Sequence, residues 1–390
     1  MNIPRADCGL ATSGNARQVT ELAGIQRSVP VRVLVVDDSA VMRSLLRTAL
    51  SACSAVKVVG TGQDGPDALE AMVRLNPDLV LLDLEMPRMN GLEVLAEMRL
   101  RHLRSKVIVC STLTRRGAGI TLEALARGAA DYVTKPVARN VGEGVAALIR
   151  ELEPRIFALF PPEGWQCPVE FSSRLPVPPP LPAQTGVASA PGLLAIGVST
   201  GGPAALERIL PALPPDFPLP ILIAQHMPRL FTGLLAERLN ALCGLSVREA
   251  APAVHLEPSV AYLARGDWHM EVTRSSGRES LYLHQNHSGE HCRPSVDLLF
   301  RSAASVYGAG VLAVVLTGMG SDGLDGCRAV RATGGRILVQ DQRTSAVWGM
   351  PGAVARAGLA DHVLPIEEIA GEVTRLSMMQ GKRELVSRQV

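Results

Sequence analysis

Ser199 stands at the apex of Gly197-Val198-Ser199-Thr200-Gly201-Gly202, directly after the apolar run Leu193-Leu194-Ala195-Ile196 and before a helix-like stretch. The spacing Gly-x-Ser-x-Gly fits a nucleophile elbow, in which small neighbours let the backbone turn sharply and lift the hydroxyl into solvent. A glycine-rich loop that opens a helix can equally cradle a phosphate, or simply be a tight turn. A serine attacks at neutral pH only when a neutral imidazole takes its proton and a carboxylate orients that imidazole. His226 follows the apolar segment Ile221–Gln225, and Asp322 follows Leu316-Thr317-Gly318-Met319-Gly320-Ser321, so both required types stand just beyond strand-like runs. The plainer readings are a surface His after a strand and an Asp that forms a turn or caps a helix. The order Ser, His, Asp differs from the three common triad orders, which argues against an ordinary α/β-hydrolase.

A second set of chemical residues lies upstream. Asp37 and Asp38 follow Val31–Val36, and Asp83 ends the run that begins at Leu79. Ser111 and Lys135-Pro136 end two further runs. Strand carboxyl ends line the crevice of an open parallel sheet, so the three acids converge there. Close carboxylates repel one another unless a cation neutralises them, and Mg²⁺, a hard ion that prefers oxygen, suits the set. A strand-end Asp often only caps a helix. That explains one acid but not Asp-Asp, Asp, Ser and Lys after successive strands.

The elements that must position these groups alternate throughout. Val31–Val36, Val56–Val59, Leu79–Leu82, Val107–Cys110 and Asp131–Val133 read as strands, with Ala40–Ala52 and Gly91–Arg101 among the helices between them. This is the βαβ pattern of a doubly wound sheet. Residues 154–191 gather Pro161-Pro162, Pro176, Pro178-Pro179-Pro180 and Pro182, and such a stretch acts as an extended linker. A second alternating region follows, with strands expected over Leu193–Val198, Ile221–Gln225, Ala261–Ala264, Val311–Leu316 and Arg336–Gln340. His269–Thr273 and Ser280–His284 bracket Ser275-Ser276-Gly277-Arg278 as a hairpin. Residues 1–30 are polar and aperiodic, an expected disordered extension.

Composition bounds the partners. In 390 residues, enough for two or three domains, hydrophobic types reach 47% but aromatics only 3%, an aliphatic core suited to buried parallel strands. A net charge of +2 offers no broad field for nucleic acid or an anionic membrane. Seven scattered cysteines without Cys-x-x-Cys read as reduced thiols. With no apolar leader-like or membrane-length run, a soluble cytoplasmic protein is expected. His284-x-x-His287-x-x-x-His291-Cys292 superficially offers metal ligands, but it lacks the usual zinc spacing and reads as a polar loop.

Val35-Val36-Asp37-Asp38-Ser39, the stretch Asp83-Leu84-Glu85-Met86-Pro87 through Gly91, and Val133-Thr134-Lys135-Pro136 resemble a response-regulator receiver domain. The resemblance implies a flavodoxin-like five-stranded parallel sheet over 31–153. It makes Asp83 the phosphoacceptor, has Asp37, Asp38, Asp83 and the Glu85 backbone carbonyl hold Mg²⁺, puts Lys135 on the phosphoryl group, and makes Ser111 and Tyr132 the switch pair. The Ser199 segment, Gln225-His226-Met227, Arg293-Pro-Ser-Val-Asp-Leu-Leu-Phe300, Leu316-Thr-Gly-Met-Gly-Ser-Asp-Gly323 and Gly349-Met-Pro351 resemble the catalytic domain of chemotaxis protein-glutamate methylesterases. That implies a doubly wound, mainly parallel α/β domain with a hairpin over 192–380, followed by a tail at 381–390. Ser199 becomes the nucleophile, His226 the base and Asp322 its orienter; the Met319 backbone N–H binds the oxyanion and Thr200 lines the site. The implied partners are methylated chemoreceptor helices and a histidine kinase, with no nucleic acid, no membrane insertion and a monomeric state. Pro252-Ala253 stand where this family commonly has Asp-Gly, Ser259 where it has Gly and Arg265 where it has Pro. Two rival readings remain: an output domain that only binds a partner or DNA, and an esterase of another signalling system.

Overall fold

The computed structural model describes residues 29–138, 140–161, 191–275, 277–286 and 292–378. Residues 1–28 of the expected extension, 162–190 of the linker, the 381–390 tail, Cys8, Cys167, His287 and His291 lie outside the described residues.

The N-terminal unit runs β1 (Val31–Val36), α1 (Ala40–Ser51), β2 (Val56–Gly62), α2 (Gly65–Leu75), β3 (Leu79–Asp83), α3 (Gly91–Leu100), β4 (Lys106–Ser111), α4 (Arg115–Ala126), β5 (Asp131–Thr134) and α5 (Val141–Leu159). Its five strands pair in parallel in the order β2-β1-β3-β4-β5. Helices cover both faces, so β1 and β3 are apolar almost without alternation, as buried parallel strands require. The helices begin on polar caps. The Ser39 side chain accepts from Met42 N at α1, and Asn90 with Glu93 forms a reciprocal capping box at α3. The strand order reverses beside β1 and β3, which opens the crevice at their carboxyl ends where Asp37, Asp38 and Asp83 stand.

Helix α5 carries on past Pro154, the expected start of the linker, to Leu159. A proline inside a helix forfeits one ladder bond and crowds the preceding turn. Ile156, Phe157 and Leu159 are all buried beyond it, and that apolar contact offsets the loss.

The C-terminal unit runs β6 (Leu193–Val198), α6 (Gly202–Ile209), β7 (Ile221–Gln225), α7 (Arg229–Leu242), β8 (Ser246–Glu249), β9 (Val260–Leu263), β10 (His269–Ser275), β11 (Arg278–His284), α8 (Val296–Tyr307), β12 (Val311–Val315), α9 (Leu324–Ala332), β13 (Arg336–Gln340), α10 (Met350–Arg356), β14 (His362–Leu364) and α11 (Ile366–Met378). Seven strands pair in parallel in the order β14-β13-β12-β6-β7-β9-β8, and β10 with β11 forms the separate antiparallel hairpin. The hairpin strands run further than expected, to the closing pair Ser275–Arg278. Edge strands β8 and β14 were not anticipated. β8 buries only Val247 fully, and β14 is three largely exposed residues, so neither carries an apolar run.

Two of the positions that depart from the family pattern have a conformational cost. Ala253 and Ser259 sit at φ 60° and 59°, the left-handed region that glycine occupies freely. A side chain there costs about 1–2 kcal/mol. Ala253 is exposed, and its backbone N–H donates to Leu281 O, a bond glycine would keep. Ala253→Gly is therefore expected to stabilise the C-terminal unit by about 0.5–1 kcal/mol after glycine's own entropy cost, measured by thermal or urea unfolding of the full chain. Ser259→Gly should gain less, because it also removes the hydroxyl that donates to Phe217 O at 2.9 Å.

Candidate active site

Ser199, His226 and Asp322 follow β6, β7 and β12, three neighbouring strands with β6 in the middle. The register pairs Val198 with Gln225 and Val315 with Gly197, so the chain leaves the sheet at nearly one level at all three places. The elbow is real: β6 ends, Gly201 turns at φ 77°, and α6 begins at Gly202. A Cβ on Gly202 would run into the Gln225 side chain, so a larger residue would displace the group that bonds Ser199 O.

Neighbouring residues stitch this turn in place. Thr317 O accepts from Ser199 N at 3.0 Å, the Thr317 hydroxyl donates to Thr200 O at 2.9 Å, and Gln225 Nε2 donates to Ser199 O at 2.9 Å. Thr317 N in turn donates to the buried Gln340 side chain at 2.8 Å. These supporting residues carry no spacing signal in the sequence; Gln225 and Gln340 announce themselves only as polar groups ending otherwise apolar strands.

His226 Nε2 lies 2.8 Å from Asp322 Oδ2. Asp322 also accepts from Val296 N (2.8 Å), Asp297 N (2.9 Å) and Ser295 Oγ (3.2 Å), so both its oxygens are fixed from the start of α8. It does not cap α9. Asp297 does, accepting from Gly323 N at 2.9 Å and Gly326 N at 2.6 Å. Burial raises the Asp322 carboxyl, but the bonds from His226 and the two backbone donors overcome it and hold the group below its ordinary value. Asp297 takes the opposite course, pushed up to about 7 by burial and by the Asp322 charge beside it.

Burial opposes the charged form of His226, yet its contacts with Cys292 and Asp322 prevail and push it up to about 10. The Ser199 hydroxyl makes no hydrogen bond among the described residues, to His226 or any other group. Sequence reasoning placed Cys292 in a remote polar loop; the structure puts its thiol within 4.8 Å of both His226 and Asp322 ligand atoms. Met319 is 36% exposed on the same edge, between Gly318 and Gly320.

The upstream acids also converge. Carboxylate oxygens of Asp37, Asp38 and Asp83 lie within 4.8 Å of one another. Lys135 Nζ lies 2.9 Å from Asp37 Oδ2 and 2.8 Å from Asp83 Oδ2. Asp37 Oδ2 is buried and, although it touches this ammonium, accepts no well-aligned hydrogen bond. Burial raises the Asp83 carboxyl above its ordinary value, and Lys135 opposes the rise only in part. An all-oxygen cluster with one acceptor unserved fits a hard divalent cation. Ser111 faces away: it donates to Gly117 O at 3.3 Å and accepts from the Thr121 hydroxyl at 2.6 Å, both on α4. The Glu85 side chain pairs with Arg116 at 3.7 Å.

The two sites meet at β5. Asp131 accepts from the hydroxyl of Thr200, the residue after Ser199, at 3.1 Å, and Arg155 of α5 lies 3.4 Å from the same oxygen. Tyr132 stacks on Phe231 of α7 with ring centroids 4.8 Å apart. Arg115 of α4 pairs with Glu237 of α7 at 3.6 Å.

Fold and sites together define a response regulator whose receiver domain is joined to an enzymatic output domain. The response regulator receiver domain family matches residues 33–144, and the CheB methylesterase family matches residues 194–373. The chain is 45% identical to a protein-glutamate methylesterase/protein-glutamine glutaminase of Nocardioides sp., over 88% of this chain and 95% of that one. It is 41% identical to the protein of the same name from Trichodesmium erythraeum, over 88% and 98%. The crystal structure of the Thermotoga maritima CheB methylesterase catalytic domain is 39% identical and covers 48% of this chain and 100% of its own, with a TM-score of 0.47. The chain belongs to the protein-glutamate methylesterase/protein-glutamine glutaminase family.

Asp322→Asn keeps the size of the side chain but removes the charge that His226 meets. It should lower kcat for ester hydrolysis by about 10³–10⁴-fold with little change in KM. Steady-state kinetics checks this, with circular dichroism confirming that the variant is folded.

Proposed function

We propose that this protein is a phosphorylation-activated esterase that hydrolyses glutamyl methyl esters on chemoreceptors and deamidates receptor glutamines. The observation that carries the reading is the His226–Asp322 pair at 2.8 Å, beside a serine elbow on the same sheet edge. Ser199 Oγ attacks the γ-carbonyl of the ester while His226, as the neutral imidazole, takes its proton. The Met319 backbone N–H stabilises the oxyanion. The tetrahedral intermediate collapses, the C–O bond to the methoxy group breaks, and His226 returns the proton so that methanol leaves. Water, deprotonated by His226, then attacks the acyl-enzyme, and glutamate is released as Ser199 recovers its proton. With glutamine the leaving group is ammonia. Asp322 holds the imidazole in the required tautomer throughout, and Thr200 lines the site.

In the receiver, Asp83 is the phosphoacceptor and Asp37, Asp38 and Asp83, with the Glu85 backbone carbonyl, are the residues that would hold Mg²⁺. The cation supplies neutralising charge where carboxylates and phosphoryl oxygens crowd together. Lys135 meets a phosphoryl oxygen, and Ser111 leaves its partners on α4 to donate to another. The movement passes to Tyr132 and hence to Phe231. A histidine kinase is the phosphodonor.

The junction with Thr200 supports a resting state in which the receiver occupies the substrate edge. A Ser199 hydroxyl that makes no hydrogen bond to His226 among the described residues fits a pair that is not engaged at rest. Among the described residues no helix is long and apolar enough to cross a membrane, and the reading needs none.

Ser199→Ala should reduce methanol release from methylated receptor membranes by about 10⁵–10⁶-fold, to background. Full activity in that variant would refute the assignment. Acetyl phosphate should stimulate wild type but not Asp83→Asn. Asp131→Ala, which removes the acceptor for Thr200, should raise unstimulated activity several-fold and shrink the stimulation ratio. An unchanged ratio in Asp131→Ala would mean that this contact does not restrain the enzyme.

A further inference from the structure

The thiol of Cys292 has no part in the esterase reaction derived above, yet it lies against the two groups that serve Ser199. A ring nitrogen of His226, the Cys292 sulfur and a carboxylate oxygen of Asp322 are all within 4.8 Å of one another. We propose that these three side chains form a binding site for a zinc-type transition-metal ion, and that its occupation switches the esterase off. The binding claim stands on the geometry alone; the inhibitory claim rests on His226 being the general base.

Zinc bound by nitrogen at about 2.0–2.1 Å, sulfur at about 2.3 Å and carboxylate oxygen at about 2.0–2.2 Å holds its ligand atoms roughly 3.3–3.6 Å apart. The trio thus needs little more than about 1 Å of closure around the ion. The ligand types are right for selection. A thiolate and an imidazole favour zinc over Mg²⁺, whereas the all-carboxylate cluster of the receiver favours the hard ion. One neutral imidazole, one thiolate and one carboxylate with Zn²⁺ sum to zero charge, and a water completes the tetrahedron. The thiol proton and any proton on the coordinating ring nitrogen leave to solvent.

The surroundings already resemble an outer shell. Val296 N, Asp297 N and the Ser295 hydroxyl fix the Asp322 carboxylate from the start of α8, and its Oδ2 also meets His226 at 2.8 Å. His226 and Asp322 side chains keep 13% and 14% of their surface exposed, so an ion has a route in. Once the metal is bound through one ring nitrogen, the neutral imidazole carries its proton on the other, so neither nitrogen can take the proton of Ser199, and the orienting carboxylate is committed to the ion. The serine then has no base.

The test uses the full chain with saturating Mg²⁺. Co²⁺ serves as the spectroscopic probe and Zn²⁺ as the inhibitor, in wild type, Cys292→Ser, Cys292→Ala and Asp83→Asn. Co²⁺ should produce a thiolate-to-metal charge-transfer band in wild type and Asp83→Asn, and no such band in either Cys292 variant. The Zn²⁺ concentration that halves activity, relative to each variant's own metal-free rate, should rise at least about tenfold when Cys292 is replaced. Absence of the band in wild type, or a band that survives in both Cys292 variants, overturns the site. Equal inhibition of wild type and both Cys292 variants, or stimulation by Zn²⁺, overturns the switch. Since the cobalt spectrum needs no turnover, failure of the site is distinguishable from failure of the esterase reading.

Discussion

A single carboxylate, that of Asp322, organises the output domain. It accepts from His226 and from three donors at the start of α8, and this ties three separated stretches of chain to one point. The carboxylate is nearly buried, so each bond is strong and each missing partner would be expensive. Asp297 lies next to it and carries the opposite assignment: it binds the N–H groups that open α9, while burial and then its neighbour's charge raise its carboxyl. Two acids in contact are pushed apart in character by their surroundings. One is kept as an anion for the imidazole, and the other serves the backbone.

The same physics recurs in the receiver with different partners. There Asp37 and Asp83 share the Lys135 ammonium, and burial keeps the Asp83 carboxyl raised. A protein ammonium standing between two carboxylates is a balanced arrangement that a phosphoryl group would disturb, because it brings new negative charge to the point Lys135 already serves. The disturbance has a short way to travel. β5 carries Asp131 and Tyr132 side by side, one bonded to Thr200 and the other stacked on Phe231, and Lys135 follows on the same strand's end. The Asp37–Asp83–Lys135 cluster and the Ser199 edge of the sheet are thus joined through a few consecutive residues.

Much of this was legible in the sequence because parallel sheets bring strand carboxyl ends together, and the reactive types stood immediately after apolar runs. Ser199, His226 and Asp322 stand out in that way, as do Asp37, Asp38, Asp83 and Lys135; the fold brings His226 to Asp322 and gathers the three acids, with Lys135 on two of them. Asp297, Ser295, Thr317 and Gln340 were not assigned roles, since their partners are remote in sequence and only the folded register brings them close. Cys292 was placed in a histidine-bearing loop, because its nearest chemical neighbours along the chain are His291 and His287. In space it belongs to His226 and Asp322. β8 and β14 escaped notice because an edge strand needs little apolar surface. Helix α5 continues past Pro154, the expected start of the linker, because the apolar residues beyond it outweigh the lost bond.

The contact between Thr200 and Asp131 also bears on how strong the proposed restraint has to be. Both partners belong to one chain, so the local concentration of receiver at the catalytic edge is on the order of millimolar. An interface with a dissociation constant far too weak to hold two separate proteins together would still be occupied most of the time. The junction itself combines the Thr200–Asp131 bond, the Tyr132–Phe231 stack, the exposed Arg115–Glu237 pair and the packing of α4 against α6 and α7, and connectivity adds to what these contacts hold. In the proposed mechanism a phosphoryl group on the receiver would have to outweigh this packing, and the charge and acceptor oxygens it brings are the means available to it.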